Sequence, residues 1–501
     1  MKYKNWAAII DVLTLCALIV AMCSQINLGD IGRDTSAEGY VTKQLKIALP
    51  DIALFLCFGW FMVHTTVLRA WKKIWWPPFP CWALILALVI SALHARPLLN
   101  ALIENLAEAH GIKQMLVALK NTKESKEAIA ETIQFAGYFV IAPLLFVNLI
   151  HDRRDGVLQS RRRLALWTFF ITLAVVIFYA LLQLVQSKAN LEMADAPRAL
   201  FSSPNAYAGF CALALPILLA RLLNYKTSQS WAIGLSVLAV LVFAATLVSP
   251  WAVVVLLCSL IITGILVRAS NRTVIAVALA GILLFFTWPN QGPLAPLRHD
   301  LMHVGSSTEK VRKQYVEWFV GVARLSDGRE ASFATGAGPG NYQFNIGSYY
   351  GGLPNEKKMP PDSNSLFLVQ AVNLGILGLS AILWILLYFS RVAFEALKKY
   401  SDDWLAAGVL GSIIAWTFVN FFHALIVRGT GVVLAFILSL AIIALHRDQE
   451  PVSETPSLLD DFECARLSDD NESGTVEAAN ESQPLVFCGV RSRQNLPNKI
   501  Q

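Results

Sequence analysis

Charged residues are scarce in this chain. Asp, Glu, Lys and Arg together make up only 15% of its 501 residues, whereas hydrophobic residues make up 55%. A soluble domain usually carries about 25% charged residues, so this composition excludes an ordinary soluble protein and indicates a polytopic membrane protein. The net charge of +6 is modest, and the placement of the basic residues explains it better than nucleic-acid binding does. We predict no nucleic-acid partner.

Paired cysteine spacings are also missing. Most of the eight cysteines fall in apolar stretches, and two, Cys464 and Cys488, fall in the polar C-terminal segment. Their spacing matches neither a disulfide framework nor a zinc site. We therefore expect small hydrophobic side chains or free thiols, and the sequence contains no internal repeat.

Long apolar runs are abundant. A bilayer-spanning helix needs roughly 20 mostly apolar residues. The sequence therefore predicts an all-α polytopic membrane protein whose transmembrane domain covers residues 1–446. We predict about twelve transmembrane helices, near residues 6–23, 48–68, 80–94, 133–150, 164–186, 205–222, 231–248, 250–267, 273–288, 365–389, 405–425 and 430–446.

The basic residues in the short connections predict the orientation. Clusters at 69–73, 153–163, 268–272 and 398–399 all fall on one side of the membrane when the N-terminus is inside. Both termini are then cytoplasmic, and the acidic, polar segment 447–501 is predicted to be a disordered tail. The outer segments are 24–47, 95–132, 187–204 and, longest, 289–364.

Segment 95–132 has apolar residues at helical spacing among its charges. This pattern predicts one or two amphipathic helices on the outer surface. Packing against the bundle explains them more simply than a role as a fence around substrate.

The long outer loop 289–364 carries the most unusual pattern. Residues 336–342 form a glycine-dense turn, in which successive backbone N–H groups can cradle an anion. No strand is predicted before it, so neither a dinucleotide fingerprint nor a P-loop is supported. Asp362, Ser363 and Asn364 directly precede a predicted helix. We expect one of these three to cap the helix, and Asp362 is alternatively a proton acceptor.

Cations collect on the same outer side. Arg312 lies in loop 289–364, and Arg198 lies shortly before the helix that begins at Pro204 and Asn205. Arginine offers bidentate hydrogen bonds to phosphate oxygens, so a pyrophosphate is a natural ligand. Alternatively, Arg198 is an interfacial arginine that reaches toward lipid headgroups.

The order of these motifs resembles the O-antigen ligase and O-antigen polymerase superfamily of bacterial envelope glycosyltransferases. Members carry about a dozen spans and one large periplasmic loop late in the chain. That loop commonly has an Arg ahead of an aromatic helix, a G-x-G-x-G-N-[FY] turn, and a polar entry into a helix ending in G-[IL]-[IL]-G. The matching residues here are Arg312 with Tyr315 and Trp318, then 336–342, 362–368 and 375–379, with Arg198 to Asn205 upstream.

The resemblance implies glycan transfer at the periplasmic face of the bacterial inner membrane. The donor would be a glycan on undecaprenyl pyrophosphate, and the acceptor a hydroxyl of lipid A core (ligase) or of another lipid-linked glycan (polymerase). No metal or other cofactor is implied, because lipid pyrophosphate is already a good leaving group. The implied substrate-binding residues are Arg198, Asn205, Gly338, Gly340 and Asn341, and the implied catalytic residues are Asp362, Asn364 and Arg312.

One position departs from the superfamily pattern. Ligases usually have His immediately before the Asn, and this chain has Ser363. Asp362 is the leading candidate for the base, with His299 and His303 as alternatives. A third alternative is a polymerase-type reaction that uses no strong base.

A transporter is the competing class of function. Carriers usually have related halves, broken helices or buried charges in their spans. In this sequence Asp11, Asp51, His64 and His423 look isolated and mostly lie near span ends, which favours an enzyme. A structural or catalytically inactive relative is the remaining alternative.

Overall fold

The computed structural model describes thirteen stretches of the chain, all within the unit Met1–Glu450. Three predicted spans between residues 231 and 288 lie outside them, apart from residues 262–263, as does the predicted tail 447–501. The described stretches are 2–24, 27–30, 46–67, 71–94, 123–151, 158–186, 199–201, 204–223, 262–263, 333–342, 365–400, 404–422 and 430–446.

Helices dominate the described residues. A π-helical turn, Gly137–Ile141, joins two successive helices, and a short ribbon of two antiparallel strands precedes the second helix. The helices are α1 (Lys2–Met22), α2 (Leu49–Val67), α3 (Phe79–His94), α4 (Lys123–Ala136), α5 (Ala142–Ile150), α6 (Leu158–Gln186), α7 (Pro204–Leu223), α8 (Leu366–Lys399), α9 (Trp404–Phe422) and α10 (Thr430–Leu445), and the strands are β1 (Asn27–Asp30) and β2 (Lys46–Ala48).

Five helical stretches in this part of the chain are long and apolar enough to cross a membrane. They are Leu49–Val67, Ala128–Ile150, Arg161–Ala180, Leu366–Lys399 and Trp404–Phe421. Four shorter apolar helices accompany them: Trp6–Met22, Phe79–Leu93, Gly209–Arg221 and Thr430–Leu445. These stretches coincide with nine of the twelve predicted spans. The described residues therefore form a helical bundle of membrane type, whereas the count of about twelve stays a prediction.

The ribbon was not predicted from the sequence. It adds a small β element to an architecture that was expected to be all-α, and it carries a register irregularity between Asn27 and Gly29. Strands of four and three residues are too short to give a recognisable alternation of apolar and polar side chains.

Helix α10 is the centre of the bundle. All its side chains from Thr430 to Ala444 are buried, and it packs against α5, α7, α8 and α9. The Phe436 ring meets the Phe146 and Phe169 rings at centroid distances of 5.0 and 5.2 Å. The outer helices instead expose large apolar side chains such as Trp167 and Leu387. A bundle that buries one helix completely and turns apolar side chains outward suits a lipid environment.

The span formed by α4 and α5 begins earlier than predicted. Its apolar stretch runs from Ala128 to Ile150, whereas hydropathy alone indicated 133–150. Residues 123–132, which were expected to form part of a surface helix, therefore lead directly into the bundle. This shift brings Glu131 inside the span.

Candidate functional site

Helix α8 is broken at Gly375. The backbone there has φ 64° and ψ −164°, which is far from helical and is a conformation that glycine alone adopts readily. A break inside an apolar helix frees backbone N–H and C=O groups, and in a membrane these groups need partners within the protein.

Residues 333–342, here called the glycine loop, supply those partners. The N–H groups of Ala337 and Gly338 donate to the carbonyl oxygens of Val372 and Asn373 at 2.8 and 2.9 Å. In the other direction, the N–H groups of Ile376 and Leu377 donate to Phe333 and Ala334 at 3.0 and 3.2 Å. The glycine loop therefore lies across the break and is paired with the α8 backbone on both sides of it by hydrogen bonds.

Two glycines permit this close approach. Gly336 has φ 75°, and a Cβ added to it would clash with the Asn373 carbonyl. A Cβ added to Gly375 would clash with the backbone of Ala334. Since both positions combine a positive φ with backbone contact, neither accommodates a side chain without a shift of the loop or the helix.

A polar cluster lies within the last two turns of α8 before the break. Gln370 Nε2 donates to Glu131 Oε1 at 3.1 Å, and Asn373 Nδ2 lies 3.5 Å from both carboxylate oxygens. Gln370 and Asn373 are almost completely buried, whereas Glu131 is half-buried. Ser91 Oγ of α3 donates to the Asn373 carbonyl at 2.8 Å. Three helices, α3, α4 and α8, thus meet the glycine loop at this cluster.

Some buried acceptor atoms in this region lack a hydrogen-bond donor among the described residues. Gln370 Oε1, Asn373 Oδ1 and Thr335 Oγ1 are buried and have no hydrogen-bond partner among the described residues. Buried polar atoms are normally paired, so such atoms indicate a place where a ligand or water donates hydrogen bonds.

The glycine-loop residues predicted to bind substrate have distinct surroundings. Asn341 is buried, and its Nδ2 donates to the Ala337 carbonyl at 3.1 Å, which closes the turn. Gly340 has φ 73°, a conformation that favours glycine. The Gly338 N–H donates to the Asn373 carbonyl, so this amide is already bonded within the protein. The substrate-binding role expected of Gly338 stays a prediction.

The helix cap also differs from the prediction. Ser365 is the N-cap of α8, since its side chain accepts from the Leu368 N–H at 3.5 Å. The expectation that one of the residues 362–364 would cap was therefore wrong, because the helix begins one residue later.

Several predicted site residues lie outside the described part of the chain. The cations Arg198 and Arg312 belong to this group, as do Asp362 and Asn364. Asn205 is the second residue of α7, and its side chain is likewise outside the described residues. The roles expected of these five residues stay predictions.

The residue next to Arg198 is held firmly in place. Ala199 has a positive φ of 48°, which is uncommon for a residue with a side chain. The Gln183 side chain of α6 brackets it, because Oε1 accepts from the Ala199 N–H at 2.9 Å and Nε2 donates to its carbonyl at 3.3 Å. The Phe201 ring packs on Phe210 with centroids 5.0 Å apart. The backbone leading out of Arg198 is thus fixed against α6 and α7.

A second polar group lies between α1 and α2. Asp11 Oδ1 accepts from Trp60 Nε1 at 3.0 Å and lies 3.1 Å from His64 Nδ1. The His64 contact lacks hydrogen-bond geometry, so it is an electrostatic approach rather than a bond. Both ionisable side chains are buried.

The expectation of isolated ionisable residues in the spans was therefore wrong for Asp11, Asp51 and His64, whereas His423 lies outside the described residues. Asp11 approaches His64, and Asp51 accepts from Tyr138 Oη at 2.7 Å and from the Ala48 N–H at 3.2 Å. The spacing of Trp60 and His64, which are four residues apart on one helix face, was the available signal for the first group.

The chain matches no protein-family model, and no curated protein matches it in sequence. Its function is therefore argued from its own residues.

Proposed function

We propose that the protein is a membrane glycosyltransferase of the bacterial inner membrane. It transfers a glycan from undecaprenyl pyrophosphate to a sugar hydroxyl at the periplasmic face, as an O-antigen ligase does. The related alternative is a polymerase, in which the acceptor hydroxyl belongs to a second lipid-linked glycan.

The attachment of the glycine loop to the broken helix α8 carries this proposal. Four backbone hydrogen bonds hold the loop against Val372, Asn373, Ile376 and Leu377. The same connection, residues 289–364, contains the predicted phosphate ligand Arg312. The bonds of residues 333–334 and 337–338 to α8, near buried amides and a carboxylate, support a site that binds a charged, hydroxyl-rich substrate.

The reaction is a substitution at the anomeric carbon of the donor sugar. The acceptor hydroxyl oxygen forms the new bond to that carbon, while the bond to the pyrophosphate oxygen breaks and the pyrophosphate leaves with the electron pair. Arg198 and Arg312 stabilise the charge that develops on the phosphates. The hydroxyl proton passes to a general base.

A transporter is the second candidate, and two observations favour it. Helix α8 is discontinuous, and a buried acid–base contact joins Asp11 to His64 inside the bundle. Discontinuous helices and intramembrane ionisable residues are common in carriers. The glycine loop favours the transferase, because its backbone already occupies the break in α8.

The experiment that separates these candidates is deletion of the gene in its host. Loss of a ligase leaves full-length glycan on the lipid carrier, and loss of a polymerase leaves single repeat units. Glycan trapped on the cytoplasmic side of the membrane would contradict the proposal and support a flippase. Unchanged envelope glycans would contradict both the transferase and the flippase.

A further inference from the structure

We infer that Glu131 is the general base of the proposed transfer, and that Gln370 and Asn373 hold it toward the acceptor sugar. This inference rests on the proposed function. It concerns a residue of α4 that lies about 230 positions before the loop motifs and has no place among them.

The geometry fixes the direction of the Glu131 carboxylate. Gln370 Nε2 bonds one oxygen, Oε1, at 3.1 Å, and the Asn373 amide lies 3.5 Å from Oε1 and Oε2. The two amides therefore fix the Glu131 carboxylate against α8.

The position of Glu131 suits reaction with a large, membrane-bound substrate. It is the fourth residue of the stretch Ala128–Ile150, close to its beginning. The side chain is half-buried, while the two amides that hold it are buried. The base is thus partly shielded from water and still reachable.

The two amides also hold acceptor oxygens beside the carboxylate. Gln370 Oε1 and Asn373 Oδ1 have no partner among the described residues. A sugar carries several hydroxyl donors on neighbouring carbons, and amide oxygens beside a carboxylate match them. The reacting hydroxyl donates its proton to Glu131 as its oxygen bonds to the anomeric carbon, so Glu131 ends the step protonated and later releases that proton to water.

The other described carboxylates have partners away from this cluster. Asp11 contacts Trp60 and His64, and Asp51 bonds Tyr138 and Ala48. Glu395 pairs with Arg391 at 2.8 Å on an exposed surface. Of the carboxylates whose side chains the structure describes, Glu131 is thus the one beside the glycine loop and its helix. It also supplies a base in a chain that has Ser363 where a ligase has His.

The test compares Glu131→Gln, Glu131→Asp and the exposed control Glu395→Gln with the wild type. Each purified protein is assayed for transfer from undecaprenyl-pyrophosphate glycan to an acceptor glycan, and for affinity toward the donor. Loss of a general base typically lowers the rate by about 10²–10⁴-fold. We expect a loss of at least about 100-fold in Glu131→Gln with unchanged donor affinity, partial activity in Glu131→Asp, and full activity in the control.

The pH profile separates a base from a structural support. Wild-type activity is expected to rise with pH as the carboxylate loses its proton and then to level off, and the residual activity of Glu131→Gln is expected to lack that rise. Activity within about threefold of wild type in Glu131→Gln overturns the inference, as does a parallel loss of donor affinity and thermal stability in both variants. If the wild-type protein itself releases no lipid pyrophosphate, that result contradicts the proposed function and not only the role of Glu131.

Discussion

Gly336 of the glycine loop and Gly375 of α8 meet where the loop crosses the helix. Each has a positive φ, and each would place a Cβ against the backbone of the other segment. Because the contact is between backbones, no rearrangement of a flexible side chain can relieve it. These two residues therefore decide whether the loop stays attached to the helix.

Substitution of Gly375 by Ala should detach the loop. An Ala at φ 64° is strained by about 1–3 kcal/mol, and the clash with Ala334 adds to that cost. We expect Gly375→Ala to lower the unfolding temperature in detergent and to make residues 333–342 accessible to protease.

Gly59 of α2 is the matched control. It lies inside an apolar helix, and an added Cβ would have nothing within 4 Å. Replacement of a helical Gly by Ala gains about 1 kcal/mol of helix propensity, so Gly59→Ala should keep or raise the unfolding temperature. Equal behaviour of the two variants would contradict the role assigned to the break.

The break illustrates what sequence alone leaves open. Gly375-Ile376-Leu377-Gly378 lies in an apolar run, and a glycine in such a run is compatible with a continuous helix. Only the partners from the glycine loop make the break stable, and these lie about forty residues earlier in the chain. The motif was visible in the sequence, but its conformation depends on a contact between distant segments.

At the scale of helices, α7 and α9 pack closely against each other. A Cβ on Gly408 would lie 2.8 Å from Ile217 Cα and 3.1 Å from Ala220 Cβ. Ser412 Oγ donates to the Leu213 carbonyl at 2.6 Å across the same interface. Small residues and a hydroxyl at a helix crossing are typical of membrane bundles.

A large side chain at Gly408 should separate these helices. Overpacking generally costs about 1–3 kcal/mol, and here the first contact would be with backbone. Gly408→Leu is therefore expected to lower the unfolding temperature and to weaken glycan transfer, because α7 carries the predicted substrate residue Asn205 at its second position. Gly59→Leu serves as the control, since its surroundings are open. A stability loss of similar size at both positions would contradict the predicted tight crossing.

The helices themselves could be predicted, and their contacts could not. Runs of apolar residues predicted nine stretches that the structure describes as apolar helices. Glu131 and Gln370 are 239 positions apart, and Asp11 and Trp60 are 49 apart. Hydropathy and local motifs contain no information about such pairs, so the cluster at α8 and the Asp11 group were both missed.

At the scale of the whole molecule, the orientation of the bundle can be tested with its own cysteines. Cys23, Cys57, Cys81 and Cys211 are buried, so a membrane-impermeant maleimide should leave them unlabelled. Cys464 and Cys488 belong to the segment predicted to be cytoplasmic.

We expect Cys464 and Cys488 to be labelled only after the cytoplasmic membrane of spheroplasts is permeabilised. A cysteine introduced into the long loop as Ser307→Cys should be labelled in intact spheroplasts. The reverse pattern would show that loop 289–364 faces the cytoplasm. That result would contradict the proposed transfer from a donor at the periplasmic face.

The most direct test of the central claim is release of undecaprenyl pyrophosphate by the purified wild-type protein. The protein is reconstituted in lipid and supplied with undecaprenyl-pyrophosphate glycan, an acceptor glycan and a chelator of divalent metals. We expect equal amounts of free undecaprenyl pyrophosphate and of elongated acceptor, because each transfer breaks one donor bond and forms one new bond. Movement of intact donor across the membrane, with neither product formed, would contradict that claim.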